Sequence, residues 1–142
     1  MPAVFEYRHC VRSDEADRQG HANNVVFVRW MQDAAVAHSE AQGWSHQACR
    51  EAGVAWVARS HFIEYRRPAF PGDDIVITTW IADMRRIAST RKYRMERTEG
   101  SDRVLVARAE TVWVLVDAAT GKPRRIPPQI LEAFELAADP PA

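Results

Sequence analysis

The sequence predicts an α+β domain in which one curved, five-stranded antiparallel sheet wraps around a single long helix. Three observations support this prediction: helical periodicity in a long apolar segment, five strand-like segments, and short connections between the last four strands. Short connections favour antiparallel neighbours, because parallel strands need long crossovers. The 142 residues suit one domain. We place it over 1–142, with a core at about 4–130 and a short helix after that core.

Hydrophobic periodicity predicts the first strand and the helix. Apolar and polar side chains alternate over 4–12, as in a strand with one solvated face. Over 25–42, apolar residues recur at steps of three and four, which is typical of a helix, and Gly43 favours a stop. The apolar set is Phe27, Trp30, Met31, Ala34, Ala35, His38 and Ala41. A helix that is apolar over most of its surface should be wrapped by other elements.

Four more strands follow, rich in β-branched and aromatic residues. They are predicted over 54–66, 74–83, 87–97 and 103–116. Turn signals containing Gly, Pro or Asp separate them or close the last strand, at 68–73, 99–102 and 117–122. A short helix is predicted at 128–137, and 137–142 should be a loose tail.

The last strand carries apolar residues on both faces, including Trp113 and Leu115. A sheet lined by one helix has no use for a second apolar face within the chain. We therefore expect that face to be buried against another subunit.

Composition excludes several classes of function. Nineteen basic and nineteen acidic residues cancel, so no overall field recruits nucleic acid or a membrane. Cys10 and Cys49 form neither a disulfide framework nor a metal motif. No signal peptide or membrane-spanning run is recognisable, which favours a cytoplasmic location. Any anionic partner must therefore be held by a local cluster of basic residues.

Acid, imidazole and carboxamide groups stand immediately before the helix, in Asp17-Arg18-Gln19-Gly20-His21-Ala22-Asn23-Asn24. The start of a helix leaves N–H groups unpaired and carries a partial positive charge. A carboxylate and a histidine placed there can act on a carbonyl group. Gly20 permits a sharp turn, and Asn23 or Asn24 suits the N-cap. From these residues alone, helix capping and catalysis are equally open interpretations.

Three motifs in order extend this observation over nearly the whole chain. They are D-x-x-G-H-x-N-N-x-x-F-x-R-W from Asp17, Y-x-x-P-A-x-x-G-D from Tyr65, and G-K-P-R-R-I-P from Gly121. Together they resemble the hot-dog-fold acyl-CoA thioesterases of the 4-hydroxybenzoyl-CoA thioesterase-like group. Phe27 stands where many members carry Tyr.

The resemblance implies hydrolysis of an acyl-CoA thioester without metal or cofactor. It implies that Asp17 is the nucleophile or the general base, and that a backbone N–H, that of Asn24, binds the carbonyl oxygen. His21 resembles a histidine of the plant acyl-carrier-protein thioesterases; it could orient Asp17 or water, protonate the leaving thiolate, or be structural. Substrate-binding candidates are Gly20, Asn23, Phe27, Arg85, Arg86 and Arg125, the arginines being suited to CoA phosphates. The partners implied are acyl-CoA and further copies of the chain, as a homodimer or homotetramer.

Other interpretations compete with hydrolysis. A non-catalytic module could bind acyl-CoA or acyl-carrier protein on the same fold, and an enoyl-CoA hydratase is less favoured because that branch spaces Asp and His five residues apart. Some branches use a helix carboxylate, for which Asp33 and Glu40 are minor candidates. Aromatic residues expected at an acyl pocket between subunits are Trp56, Phe62 and Trp113. Residues interpreted as a solvated basic face are Arg91, Lys92 and Arg94, and those interpreted as structural are His9, His38, His46 and His61.

Overall fold

The computed structural model describes residues 3–137 and confirms the predicted sheet and helix. The strands are β1 (Val4–Cys10), β2 (Val54–Tyr65), β3 (Asp74–Met84), β4 (Ala88–Glu99) and β5 (Asp102–Asp117). The helices are α1 (Asn24–Ala41), α2 (His46–Glu51) and α3 (Pro128–Ala133), with a 3-10 turn at Ser13–Glu15. The short α2 was not predicted. Of the predicted tail, residues 138–142 lie outside the described part of the chain.

All five strands form one antiparallel sheet in the order β1-β3-β4-β5-β2. The last three strands are consecutive hairpins, as their short connections predicted. The same prediction is wrong for β2, which pairs with β5 and not with β3, so that β1 and β2 form the two edges. A register shift between Ala58 and Ser60 inserts an extra residue into β2 opposite β5. Such bulges bend and twist a strand, which suits a sheet that curves around a helix.

Helix α1 packs against the concave face of this sheet. Its buried side chains include Trp30 and Met31, both fully inaccessible to solvent, and they share a cluster with residues of β3, β4 and β5. The helix ends before Gly43, whose φ of +88° is the left-handed conformation common after helices. The wrapping is incomplete in the single chain, because Val25 and Val36 remain 73% and 52% exposed.

A subunit contact at the second face of β5 stays a prediction, and the residues that support it are Val112, Val114 and Val116, not Trp113 and Leu115. Trp113 and Leu115 are two residues apart in a regularly paired stretch, so they share one face of the sheet. Leu115 is fully buried within the chain, in a second cluster with Ile126 and Ile130 that α2 and α3 help to close. Of these two helices, α3 was predicted from the sequence without its packing against β5, and α2 was not predicted. Exposed apolar side chains remain on α1 and on β2, where Val57 and Phe62 pair with Val114 and Glu110 and therefore lie on the second face of β5.

Candidate active site

The loop before α1 is a small closed hairpin. Ala16 and Ala22 form an isolated antiparallel bridge, and inside it the Asp17 N–H donates to the His21 carbonyl over 2.7 Å. Gly20 makes the turn with a φ of +82°, and its N–H donates to the Asp17 carbonyl over 3.0 Å. The structure therefore holds Asp17 and His21 opposite each other, and only Ala22 and Asn23 separate His21 from the start of α1.

The Asp17 carboxylate organises this hairpin. Its Oδ1 accepts hydrogen bonds from the Gln19 N–H at 2.8 Å and the His21 N–H at 3.3 Å. Its Oδ2 has no hydrogen-bond partner within residues 3–137 and is free to act. In the single chain, Asp17 is exposed to solvent.

The helix start supplies an unused donor. Asn23 is the N-cap: its side-chain oxygen accepts from the Val25 N–H at 3.0 Å, and its carbonyl accepts from the Val26 N–H at 3.0 Å. Between them, the Asn24 N–H has no acceptor in the part of the chain that the structure describes. This is the donor that the resemblance assigned to the carbonyl oxygen.

A buried carboxylate that the sequence analysis missed anchors the hairpin. Glu15 is 3% exposed; its carboxylate accepts from the Arg12 N–H and His9 Nε2, each at 2.8 Å, and from Trp30 Nε1 at 3.1 Å. Its carbonyl accepts from the Asn23 N–H at 2.8 Å. Burial would raise the pKa of Glu15, but the three hydrogen bonds outweigh it and leave the pKa below its usual value. Glu15 thus ties the hairpin and the helix cap to the core.

The neighbours of the hairpin come from the turn before β3. The Ala22 N–H donates to the Ala69 carbonyl over 2.7 Å, and the half-buried His21 ring meets Phe70 edge-on at 5.1 Å. The Tyr65 hydroxyl donates to the Asn24 carbonyl over 3.0 Å, which fixes the helix start from β2. The first two of the three sequence motifs therefore meet in space.

Phe27 was expected to bind substrate, but the structure places it in the core. It is 2% exposed and packs against Trp30 and Tyr65 at ring distances of 4.7 and 5.1 Å. Its position one helical turn after the cap points it inward with the apolar stripe of α1.

The three arginines predicted to bind phosphate lie at the other end of the molecule. Arg86 and Arg125 are exposed on adjoining segments, since the Ile126 N–H donates to the Arg86 carbonyl over 2.9 Å. Arg85 is joined to both oxygens of Asp83 at 2.7 and 2.8 Å. These residues follow β3, whereas the hairpin touches the turn that precedes it. Ten residues of extended strand separate the two ends by about 33 Å. One chain does not bring Asp17 and the arginines together.

A cavity of about 570 Å³ lies near the arginine end, between the second half of α1, α2 and the sheet. Trp56 and Trp113 line it, whereas Phe62, the third aromatic residue expected at an acyl pocket, lies outside it and is 50% exposed. The cavity lies within one chain and away from the start of α1, so the expected pocket between subunits stays a prediction. The volume suits a small organic ligand. Arg91 also lines it and is only 4% exposed, so the assignment of this residue to a solvated face is wrong. Strand alternation places Arg91 on the inner face with Tyr93 and Met95.

Comparison with known proteins identifies the class. A family model described as the thioesterase-like superfamily matches residues 11–134. The acyl-CoA thioester hydrolase YbgC of Escherichia coli is 30% identical over 93% of this chain and 96% of its own length. Among solved structures, a hypothetical protein from Aquifex aeolicus is 25% identical with a TM-score of 0.84, covering 92% of this chain and 99% of that one. A 4-hydroxybenzoyl CoA thioesterase mutant complexed with 4-hydroxybenzoyl CoA is 21% identical with a TM-score of 0.86, covering 94% and 100%.

The fold and the site define a hot-dog thioesterase. The chain belongs to the thioesterase-like superfamily. The resemblance to the 4-hydroxybenzoyl-CoA thioesterase-like group and the prediction of a thioester-hydrolysing enzyme are therefore confirmed. Within residues 3–137, no helix is long and apolar enough to span a membrane, and no group of metal-binding side chains is present.

Proposed function

We propose that this protein hydrolyses acyl-CoA thioesters, with Asp17 as the catalytic carboxylate and the Asn24 N–H as the donor to the carbonyl oxygen. The observation that carries the proposal is the unpaired Asn24 N–H at the start of α1, beside a hairpin whose Asp17 keeps one oxygen free. The name of the 30% identical relative, an acyl-CoA thioester hydrolase, supports the same substrate class.

The chemistry follows from these groups. Either Asp17 Oδ2 or a water deprotonated by it attacks the thioester carbon, and the carbonyl oxygen gains negative charge. A fixed backbone N–H stabilises that charge without reorganising and is worth about 3 kcal/mol. The C–S bond then breaks, and the CoA thiolate takes a proton, for which His21 is the nearby candidate. If water attacked, the free acid leaves directly; if Asp17 attacked, an acyl–Asp17 anhydride is left, and a water molecule hydrolyses it to the free acid and the Asp17 carboxylate. The attack by Asp17 itself and the attack by water both agree with this geometry.

A second copy of the chain would complete the site. In the single chain β2 is an edge strand with 49%, 50% and 44% exposure at Val57, Phe62 and Tyr65, which invites pairing. Two β2 edges related by a two-fold axis perpendicular to the sheet run antiparallel. The Tyr65 end of β2 holds the start of α1, and the Val54 end adjoins Gly53, whose carbonyl accepts from Arg124. Such pairing therefore places the hairpin of one subunit beside the arginine end and the cavity of the other.

This arrangement assigns roles to the remaining predicted residues. Arg86 and Arg125 are exposed and could bind the phosphates of CoA, whereas Arg85 already donates hydrogen bonds to the carboxylate of Asp83. The partner would also cover Asp17, and burial strengthens a carboxylate as a base. We propose a homodimer as the minimal active unit; the tetramer and the cytoplasmic location stay predictions.

Thiol release from a panel of acyl-CoAs, followed with a thiol reagent, tests the function. We expect turnover by the wild type and a loss of about 100-fold or more in kcat for Asp17→Asn, because general-base help is worth roughly 10² to 10⁴ in rate. Asp14→Asn is the control, since this neighbouring carboxylate is 74% exposed and outside the hairpin. Full activity of Asp17→Asn would refute the assignment. Binding of acyl-CoA without turnover by the wild type would favour the non-catalytic module, in which Asp17 only organises the hairpin.

Co-expression of Asp17→Asn, which should not turn over, with Arg86→Glu, which should bind acyl-CoA weakly, tests the shared site at a substrate concentration well below KM. If Asp17 and Arg86 of different subunits form one site, a dimer of Asp17→Asn and Arg86→Glu chains carries one site with both defects and one intact site. Random pairing makes about half of the dimers mixed, so about one quarter of the wild-type sites should be restored. If each site belonged to a single chain, no site would be intact. Activity equal to the mean of the two separate variants would therefore exclude the shared site.

A further inference from the structure

A buried arginine lies at the wall of the cavity without a negative partner. The Arg91 Nη1 donates to His38 Nδ1 at 2.9 Å and to Thr79 Oγ1 at 3.0 Å. Within residues 3–137, Arg91 forms no ion pair with a carboxylate, whereas the exposed Arg66 and Arg85 each have one. Burying a charge without a counter-charge destabilises a protein, so a buried and unpaired arginine indicates a functional role.

The neighbours of Arg91 hold it in place and leave its charge uncompensated. Since arginine only donates, His38 Nδ1 must accept, and the proton of a neutral imidazole is then on Nε2. Burial, with a smaller contribution from the charge of Arg91, lowers the pKa of His38 to about 4, so the imidazole is neutral near pH 7. The His38 ring is itself fixed between Phe5 and Phe134, at 5.2 and 5.6 Å. Burial lowers the pKa of Arg91 only to about 10, so its charge persists.

Most of the remaining wall of the cavity is apolar; the other polar residues that line it are Gln32, Ser39, His46, Ser89 and the exposed Arg50. Its walls carry large apolar side chains from α1, α2 and their connection, from the strands and from the end of the chain, including Val36, Trp44, Ile81, Met84 and Phe134. Two of the guanidinium nitrogens of Arg91, Nε and Nη2, have no acceptor among the described residues. A planar fork of N–H donors matches a carboxylate better than a single hydroxyl group.

We propose that this cavity binds an apolar group that ends in a carboxylate, and that Arg91 recognises the carboxylate. The inference rests on the proposed function for its biological meaning: the cavity would select acyl-CoAs whose acyl group carries a distal carboxylate, as in the half-thioester of a dicarboxylic acid. Arg91 is then a specificity residue, remote from the thioester.

Direct binding tests this independently of hydrolysis. Trp44, Trp56 and Trp113 line the cavity, so a ligand should alter their fluorescence. The probes are 4-phenylbutanoate and 4-phenylbutanamide, which share one apolar body and differ in charge. We expect the carboxylate to bind about 10-fold more tightly than the amide to the wild type, as a charge-assisted hydrogen bond allows. Equal affinities, or no binding of either probe at about 10 mM, would overturn the proposal.

Variants assign the preference to Arg91. Arg91→Met keeps the side-chain length without the charge and should bring the ratio of the two affinities to about 1, whereas Arg91→Lys should retain part of the preference. Arg29→Met is the matched control, because Arg29 is an exposed arginine of α1, and it should keep the wild-type ratio. A preference that survives in Arg91→Met would overturn the proposal. If Arg91→Met does not fold, the comparison of Arg91→Lys with the wild type decides: an unchanged ratio together with unchanged affinities contradicts recognition by the guanidinium fork.

Hydrolysis distinguishes this inference from the proposed function. The substrates are two acyl-CoAs of equal chain length, one ending in a carboxylate and the other in its methyl ester. Arg91→Met should raise KM for the carboxylate substrate about 10-fold and leave the ester substrate unchanged. Hydrolysis of both substrates by the wild type with equal KM refutes the carboxylate site and leaves the thioesterase intact. Carboxylate binding without hydrolysis of either substrate would support the carboxylate site and refute the proposed thioesterase activity.

Discussion

Glu15→Gln should destabilise the protein by about 3 kcal/mol. The carboxylate accepts three hydrogen bonds, from Arg12, His9 and Trp30, at 2.8 to 3.1 Å. Hydrogen bonds to a charged group are worth about 1.5 to 3 kcal/mol each. Glutamine keeps one acceptor oxygen and turns an NH₂ group toward the remaining donor, so one bond becomes a clash of donors and the others weaken. Removing one partner from a buried charged network typically costs about 3 to 5 kcal/mol, so the destabilisation expected for Glu15→Gln lies at the lower end of that range.

Urea unfolding at fixed protein concentration measures this loss, and the melting temperature should fall by roughly 10 °C. Asp14→Asn is the control, since Asp14 is 74% exposed, and it should change stability by less than about 0.5 kcal/mol.

The stabilisation by Glu15 should decrease as the pH is lowered. Because folding lowers the pKa of Glu15 below the usual value of 4.5, its contribution is present above that pH and is lost as the pH falls through the folded-state pKa. The two proteins should therefore converge in acid. Equal stability at pH 7 would refute the role given to Glu15.

The remaining predictions concern the helix cap and the arginines. Asn23→Ala should cost about 1 kcal/mol in urea unfolding, through loss of the N-cap. Arg86→Met and Arg125→Met should each raise KM for acyl-CoA about 10-fold at unchanged kcat, whereas Arg85→Met, already engaged with an aspartate, should have a smaller effect in the same assay. Arg91→Met should leave the free energy of unfolding unchanged or raise it, because no carboxylate offsets the buried charge; a loss above about 2 kcal/mol would indicate a structural role instead.

The elements that the sequence predicted well are those in which local chemistry and tertiary packing agree. Alternation and turn signals placed each strand within a few residues, and the helix was predicted at 25–42 against Asn24–Ala41 observed. The sequence predicted that either Asn23 or Asn24 is the N-cap, but it could not decide between them; in the structure it is Asn23. That choice depends on the Asn23 N–H reaching the Glu15 carbonyl, a contact made only once the hairpin has folded.

The burial of two charged residues, Glu15 and Arg91, was not predicted from the sequence. Glu15 and Arg91 are each embedded among polar neighbours in the sequence, and composition gives no reason to bury them. For Arg91, strict alternation with Tyr93 and Met95 was a usable signal, because two large apolar residues on one face fix which side of β4 is inside. For Glu15, the partners His9 and Trp30 come from different elements, so no local pattern could have identified it.

The single chain orients the reacting groups but cannot isolate them from water. Asp17 is exposed, and a backbone N–H acts most strongly on a developing charge where water is excluded. The same chain leaves Val25 exposed at the start of α1 and Phe62 exposed on the edge strand. In the proposed homodimer, Glu15 and the N-cap would orient these groups within each subunit, and the partner subunit would exclude water from them. On this argument, substitutions at the β2 edge that block pairing should reduce kcat even though every catalytic group is retained.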